Sequence, residues 1–141
     1  MVGRNTGNTE TWKRILDDYA ARQVVFEVKN FSTDLGPMEY RQMLSYLSGE
    51  HGRLGFIINR SKDSNLEKER ELQWVREIYH EHDRRVVVKL PATLIASWIS
   101  KLRSPQKHDA ADKGLGSLLD TYERMYLRLG GAASTKKRTR K

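Results

Sequence analysis

Three short, almost uninterrupted apolar runs constrain this 141-residue chain more than anything else in it: Gln23–Lys29, Leu54–Asn59 and Arg85–Lys89. The first carries Val24, Val25, Phe26 and Val28. The second reads Leu-Gly-Phe-Ile-Ile, and the third holds Val86, Val87 and Val88. Such β-branched and aromatic runs are strands, and runs this apolar belong inside a sheet covered on both faces. Between them the apolar spacing changes to three and four, which is the helical period. Tyr40, Met43, Leu44 and Leu47 form one stripe between Pro37 and Gly49. Leu72, Val75, Ile78 and Tyr79 form another, on a charged helix that the Ser64/Glu67 capping box opens and that runs to about Asp83. Strands alternating with helices give an α/β fold with a mixed, mainly parallel sheet flanked by helices.

Three more helices complete the pattern. Thr9–Arg22 carries Trp12, Ile15, Leu16 and Tyr19. Pro91 opens the next helix, whose broad apolar face is Leu94, Ile95, Trp98, Ile99 and Leu102. The last aligns Leu115, Leu118, Leu119, Tyr122, Tyr126 and Leu129 and stops at Gly130–Gly131. The expected core includes Val25, Phe26, Phe56, Ile57, Val87, Ile95 and Trp98. The length suits one domain, residues 1–131, followed by a basic disordered tail, 132–141.

With no cysteine, disulfides, thiolate nucleophiles and Cys-based zinc or iron–sulfur sites are excluded. No apolar run approaches the ~18 residues of a membrane span, and the polar start is no secretory signal, so a soluble cytoplasmic protein is expected. The net charge is +8, and removing Lys136, Lys137, Arg138, Arg140 and Lys141 leaves +3 of it. A basic tail gives salt-sensitive, sequence-independent attraction to nucleic acid; it equally suits a solvated terminus that aids solubility.

The chemical anomaly lies in the first strand. Glu27 and Lys29 interrupt the apolar run two residues apart, so they share a face. Charges beside a core are costly unless paired, solvated in a cleft or bound to a metal. A carboxylate there suits a hard cation such as Mg²⁺, and a neighbouring lysine can orient water or steady charge on a phosphate. Taken alone, Glu-x-Lys is common, and an amphipathic strand with both residues in solvent explains it as well.

The stretch Val24-Val25-Phe26-Glu27-Val28-Lys29-Asn30 resembles the second conserved strand of the PD-(D/E)xK, or restriction-endonuclease-like, nuclease superfamily, with Glu27 and Lys29 at its Glu-x-Lys. The Gln42-Met43-Leu44-Ser45-Tyr46 that follows is similar to the Gln-x-x-x-Tyr element of the RecB-like branches. Gly52–Ile58 looks like the next inner strand. The resemblance spans about Thr9 to Arg103. It implies a Mg²⁺-dependent nuclease hydrolysing DNA, with Glu27 as metal ligand and catalytic residue, Lys29 beside it, and Gln42 and Tyr46 supporting the site. Gln42 and Tyr46, one turn apart, can project together towards the sheet.

The family also places an acid on the strand before Glu-x-Lys, and none is expected here. The segment upstream of Gln23 reads as a helix and a polar start, with Asp17 and Asp18 on a helix surface. The chain therefore reads as the C-terminal portion of a longer nuclease domain, with substitution by Asp17 or Asp18, or loss of metal chemistry, as alternatives. Arg53 and Arg60 bracket a strand and, with Lys136, Lys137 and Arg138, are the candidate DNA contacts. His51, His80, His82 and His108 show no ligand spacing and are expected to be exposed or to cap helices. A homodimer or a larger multidomain parent is expected. The competing function is a non-catalytic nucleic-acid-binding or assembly module on the same scaffold.

Overall fold

A computed structural model describes residues 2–29, 35–47, 51–60, 70–107 and 109–128. Its elements follow in the order β1 (Val2–Arg4), α1 (Glu10–Tyr19), β2 (Gln23–Lys29), α2 (Pro37–Tyr46), β3 (Leu54–Asn59), α3 (Arg70–Glu81), β4 (Val86–Pro91), α4 (Ala92–Lys101) and α5 (Ala110–Thr121). A π-helical turn, Tyr122–Tyr126, extends α5. The architecture is α/β. One mixed sheet runs β1-β2-β3-β4, with β2, β3 and β4 parallel and β1 antiparallel to β2.

The register fixes the two faces of the sheet. Phe26 lies beside Phe56 and Val88, while Glu27 lies beside Ile57 and Lys89. On the even face of β2, Phe26 shares an apolar space with residues of α1, α4 and α5, and the Phe26 and Phe56 rings stack at 5.3 Å. On the odd face, Met43 and Leu47 of α2 close over Gly55. A Cβ there would collide with the Met43 sulfur, so the missing side chain is what lets α2 lie flat on the sheet. Helix α2 begins cleanly because Pro37 takes its first turn and Glu39 Oε1 accepts the Gly36 N–H at 2.7 Å. Helix α1 ends at Ala20 in the left-handed region, and the loop before β3 caps it, with the Arg53 N–H donating to the Tyr19 carbonyl at 2.8 Å. Gly52, at φ 67°, makes that approach possible, since a side chain there would strike the Tyr19 and Ala20 carbonyls.

Several expectations change. A strand does precede Gln23: β1 pairs Val2, Gly3 and Arg4 with Val25, Val24 and Gln23, although it carries no acid. It is three residues long and polar at its end, so apolar periodicity could not reveal it; backbone pairing alone defines it. Pro91 closes β4 and precedes α4 instead of opening it. Phe26, Ile95 and Trp98 are half-buried, and Ile99 and Leu102 are exposed. The reason is an apolar cavity of about 370 Å³ between the sheet and helices α1, α4 and α5, into which Phe26, Ile95 and Trp98 face. The core otherwise holds Val25, Phe56, Ile57 and Val87 as expected. The Ser64/Glu67 capping box, Leu129 and the basic tail lie outside the described residues.

The pattern hid a buried polar group. Lys89 and Glu71 have no exposure, and the Lys89 ammonium donates to Glu71 Oε2 at 3.0 Å. The Tyr40 hydroxyl donates to the other Glu71 oxygen at 2.5 Å. This network joins α2, α3 and β4 through directional contacts that add to their shared apolar packing.

Candidate functional site

Helix α2 lies along the odd face of β2 and brings the two separate motifs together. The Lys29 ammonium donates to Gln42 Oε1 at 2.9 Å. One turn along the helix, Tyr46 borders a cleft of about 290 Å³ that is also lined by Glu27, Val25, Val2 and His51. Strand β1 accompanies β2 only as far as Val25, so Glu27 and Lys29 stand beyond the end of their neighbour's described pairing, open to the surface. Strand alternation puts Val25, Glu27 and Lys29 on one face, and the helical turn separates Gln42 from Tyr46 by the same step along it. The backbone geometry therefore matches Lys29 with Gln42 and Glu27 with Tyr46.

The polar groups of the cleft are available. Among the described residues the half-buried Glu27 carboxylate has neither a hydrogen-bond nor an ion-pair partner. Nδ1 of His51 lies 2.9 Å from the Tyr46 carbonyl oxygen. A carbonyl can only accept, so Nδ1 carries the proton and, in the neutral ring, Nε2 keeps a free lone pair. His51 was expected to be exposed or to cap a helix; it caps α2 through the Tyr46 carbonyl, and it is half-buried beside the Glu27 cleft. Its five-residue distance from Tyr46 fits no helical spacing. The signal that points to it is the neighbouring Gly52, a turn-forming glycine.

The remaining candidates lie apart from this cleft. Asp17 and Asp18 are exposed on α1, and neither lines it. The Arg53 guanidinium donates to the Asp18 carbonyl at 2.5 Å, so it is occupied in holding the end of α1. Arg60 is exposed just beyond Asn59, the β3 residue level with Lys29. Asn59 is itself fully buried, and its side-chain amide has no partner among the described residues. His80 and His82 are exposed, while His108 and Lys136, Lys137 and Arg138 lie outside the described residues. No group of three or more His, Asp or Glu side chains among the described residues is arranged to hold a metal. No described helix is long and apolar enough to cross a membrane.

No family model matches the chain, and no solved structure matches it. Over all 141 residues it is 48% identical to an Escherichia coli (strain K12) protein named "Putative transposon gamma-delta 80.3 kDa protein". The chain spans 20% of the length of that relative.

Proposed function

We propose that this chain is a metal-dependent nuclease domain of the restriction-endonuclease-like class, acting on DNA phosphodiester bonds as part of a larger protein. One observation carries the reading: Glu-x-Lys on β2 and Gln-x-x-x-Tyr on α2, thirteen residues apart at Lys29 and Gln42, meet through a direct hydrogen bond. Lys29 is thereby held beside the cleft that contains Glu27. The relative's name associates it with a transposon but names no activity, so the reading rests on the site.

Each residue has a task that its chemistry allows. Gln42 fixes the Lys29 ammonium, a point charge able to steady a phosphate or its transition state. Glu27 offers an oxygen donor without competing partners. Mg²⁺ characteristically takes one or two carboxylates and fills its other positions with water and substrate phosphate, and Glu27 supplies the first of these. When bound, such an ion supplies charge stabilisation and an acidified water. Tyr46 borders the same space with a hydroxyl suited to a phosphate oxygen. Arg60 and the basic tail would add backbone contacts to DNA.

The test is plasmid cleavage with Mg²⁺, comparing the wild-type chain with Lys29→Ala and Glu27→Gln. Loss of a positioned catalytic group should lower the rate by about 10²-fold or more. Cleavage indifferent to Lys29→Ala would overturn the assignment. Binding of DNA without cleavage would favour the non-catalytic module.

A further inference from the structure

Glu27 is the sole carboxylate among the residues lining the cleft, so the other donors of the lining decide which ion the site takes. The nitrogen donor among them is the His51 imidazole. We propose that Glu27 and His51 together form a mixed oxygen–nitrogen site for a first-row transition ion, and that the site prefers such an ion to Mg²⁺. The proposal deepens the nuclease reading by naming a second ligand and an ion class for the same cleft.

Three features converge on it. The two side chains border one space of about 290 Å³, roomy enough for an ion with several waters. Glu27 is half-buried with no protein partner among the described residues, so its oxygens are free to take a cation. Finally, the Nδ1–H of His51 is tied to the Tyr46 carbonyl at 2.9 Å. That contact is how metal-binding histidines are commonly oriented: one nitrogen donates to a carbonyl, which fixes the ring and raises the basicity of the other. Here the orienting carbonyl belongs to the last residue of the helix that also supplies Gln42, so the ligand and the lysine clamp share one support.

The donor set sets the preference. Imidazole nitrogen is a good ligand for cobalt, nickel and zinc and a poor one for Mg²⁺, which favours oxygen and dehydrates reluctantly. A single carboxylate gives Mg²⁺ one anionic anchor, whereas a transition ion gains both donors.

Calorimetric titration of the full chain with Co²⁺ and with Mg²⁺, without nucleic acid, tests this directly. Co²⁺ is expected to bind at least about tenfold more tightly than Mg²⁺. Glu27→Gln and His51→Ala should each weaken Co²⁺ binding by about tenfold or more, the scale that even outer-shell partners reach. His80→Ala, on the exposed face of α3, should leave it unchanged. In wild-type protein, Co²⁺ should also shift or broaden the His51 imidazole resonance before those of the other three histidines, a readout that needs no variant to fold. Co²⁺ binding that is absent at millimolar ion, or indifferent to His51→Ala with the His51 resonance unmoved, overturns the proposal. These outcomes separate it from the nuclease reading. Cleavage that survives His51→Ala sinks the ligand assignment alone, whereas Co²⁺ binding that needs both residues without any DNA cleavage sinks the nuclease reading alone.

Discussion

Removing the Lys89 charge should unfold the molecule more readily than any cavity of the same size would explain. Lys89 is fully buried in β4 and faces Glu71, itself fully buried on α3. Lys89→Met keeps most of the side-chain volume but leaves the Glu71 carboxylate with the Tyr40 hydroxyl as its remaining donor among the described residues. Breaking one side of a buried pair costs about 3–5 kcal/mol, because the surviving charge stays desolvated without compensation. Total stability for a domain of this kind is about 5–15 kcal/mol, so about a fifth of it or more is at stake. The double variant Lys89→Met/Glu71→Leu should recover most of the loss, since an apolar replacement of a buried pair is often neutral or stabilising.

Urea unfolding followed by circular dichroism measures both variants, with the midpoint shift read at constant slope. The reasoning also makes a structural demand. Tyr40 sits on α2 one turn before Met43 and Leu44, so losing Glu71 as its acceptor should loosen the helix that carries Gln42 and Tyr46. Hydrogen exchange in α2 should therefore rise in the double variant even where global stability returns. A single-variant cost below about 1 kcal/mol, or a double variant as unstable as the two singles added together, would refute the idea that an uncompensated charge sets the magnitude.

Two further outcomes follow from the geometry. Val2→Asp puts a second carboxylate into the Glu27 cleft from an exposed position opposite Val25, and Mg²⁺ affinity measured by calorimetry should rise by about tenfold with stability changed by about 0.5 kcal/mol or less; unchanged Mg²⁺ affinity would show that the cleft does not bring β1 and Glu27 onto one ion. Burial, then the hydrogen bond to Glu123, push the Tyr19 phenol well above its ordinary value. Its raised folded value means that its contribution is complete below about pH 10 and declines as pH climbs above that. Tyr19→Phe should thus flatten the alkaline loss of stability between pH 9 and pH 11 by up to about 1.4 kcal/mol per pH unit, and an identical slope in both proteins would refute the linkage.

What the chain disclosed on reading follows from which forces leave a one-dimensional trace. Gln23–Lys29 and Leu54–Asn59 appear with the bounds the apolar runs suggested, because a strand buried on both faces must be apolar throughout. That Lys29 and Gln42 belong to one site followed from the motif resemblance. Their direct hydrogen bond came only with the structure, since alternation and helical spacing place each residue on a face without bringing the faces together. Glu71 and Lys89 were not legible, because a charged residue inside an apolar stripe looks like solvent-facing decoration until both ends of the pair are seen. His51 escaped for a similar reason. Its position depends on a loop closing back on α1 through Gly52, a tertiary event with no periodic signature. Ile99 and Leu102 mislead in the opposite direction: their spacing fits a buried face, but α4 covers a cavity and leaves its last turn exposed.

The sheet register turns the question of a second acid into one of position. In an antiparallel pair, directly opposite residues share a face, and Val2 stands opposite Val25. Within the described part of β1, an acid entering the cleft must therefore stand at Val2. Asp17 and Asp18 fail this requirement on geometry: they belong to the exposed surface of α1, which packs against the other face of the sheet. Neither can reach Glu27 without dismantling the β1–β2 pairing. Within the described residues, the group that does reach the cleft from outside β2 and α2 with a lone pair to offer is the imidazole of His51. On the proposed reading both the lysine clamp and the His51 donor rest on α2, through the Gln42 side chain and the Tyr46 carbonyl. Gln42→Ala spares that carbonyl, so it should weaken phosphate handling and leave ion binding intact.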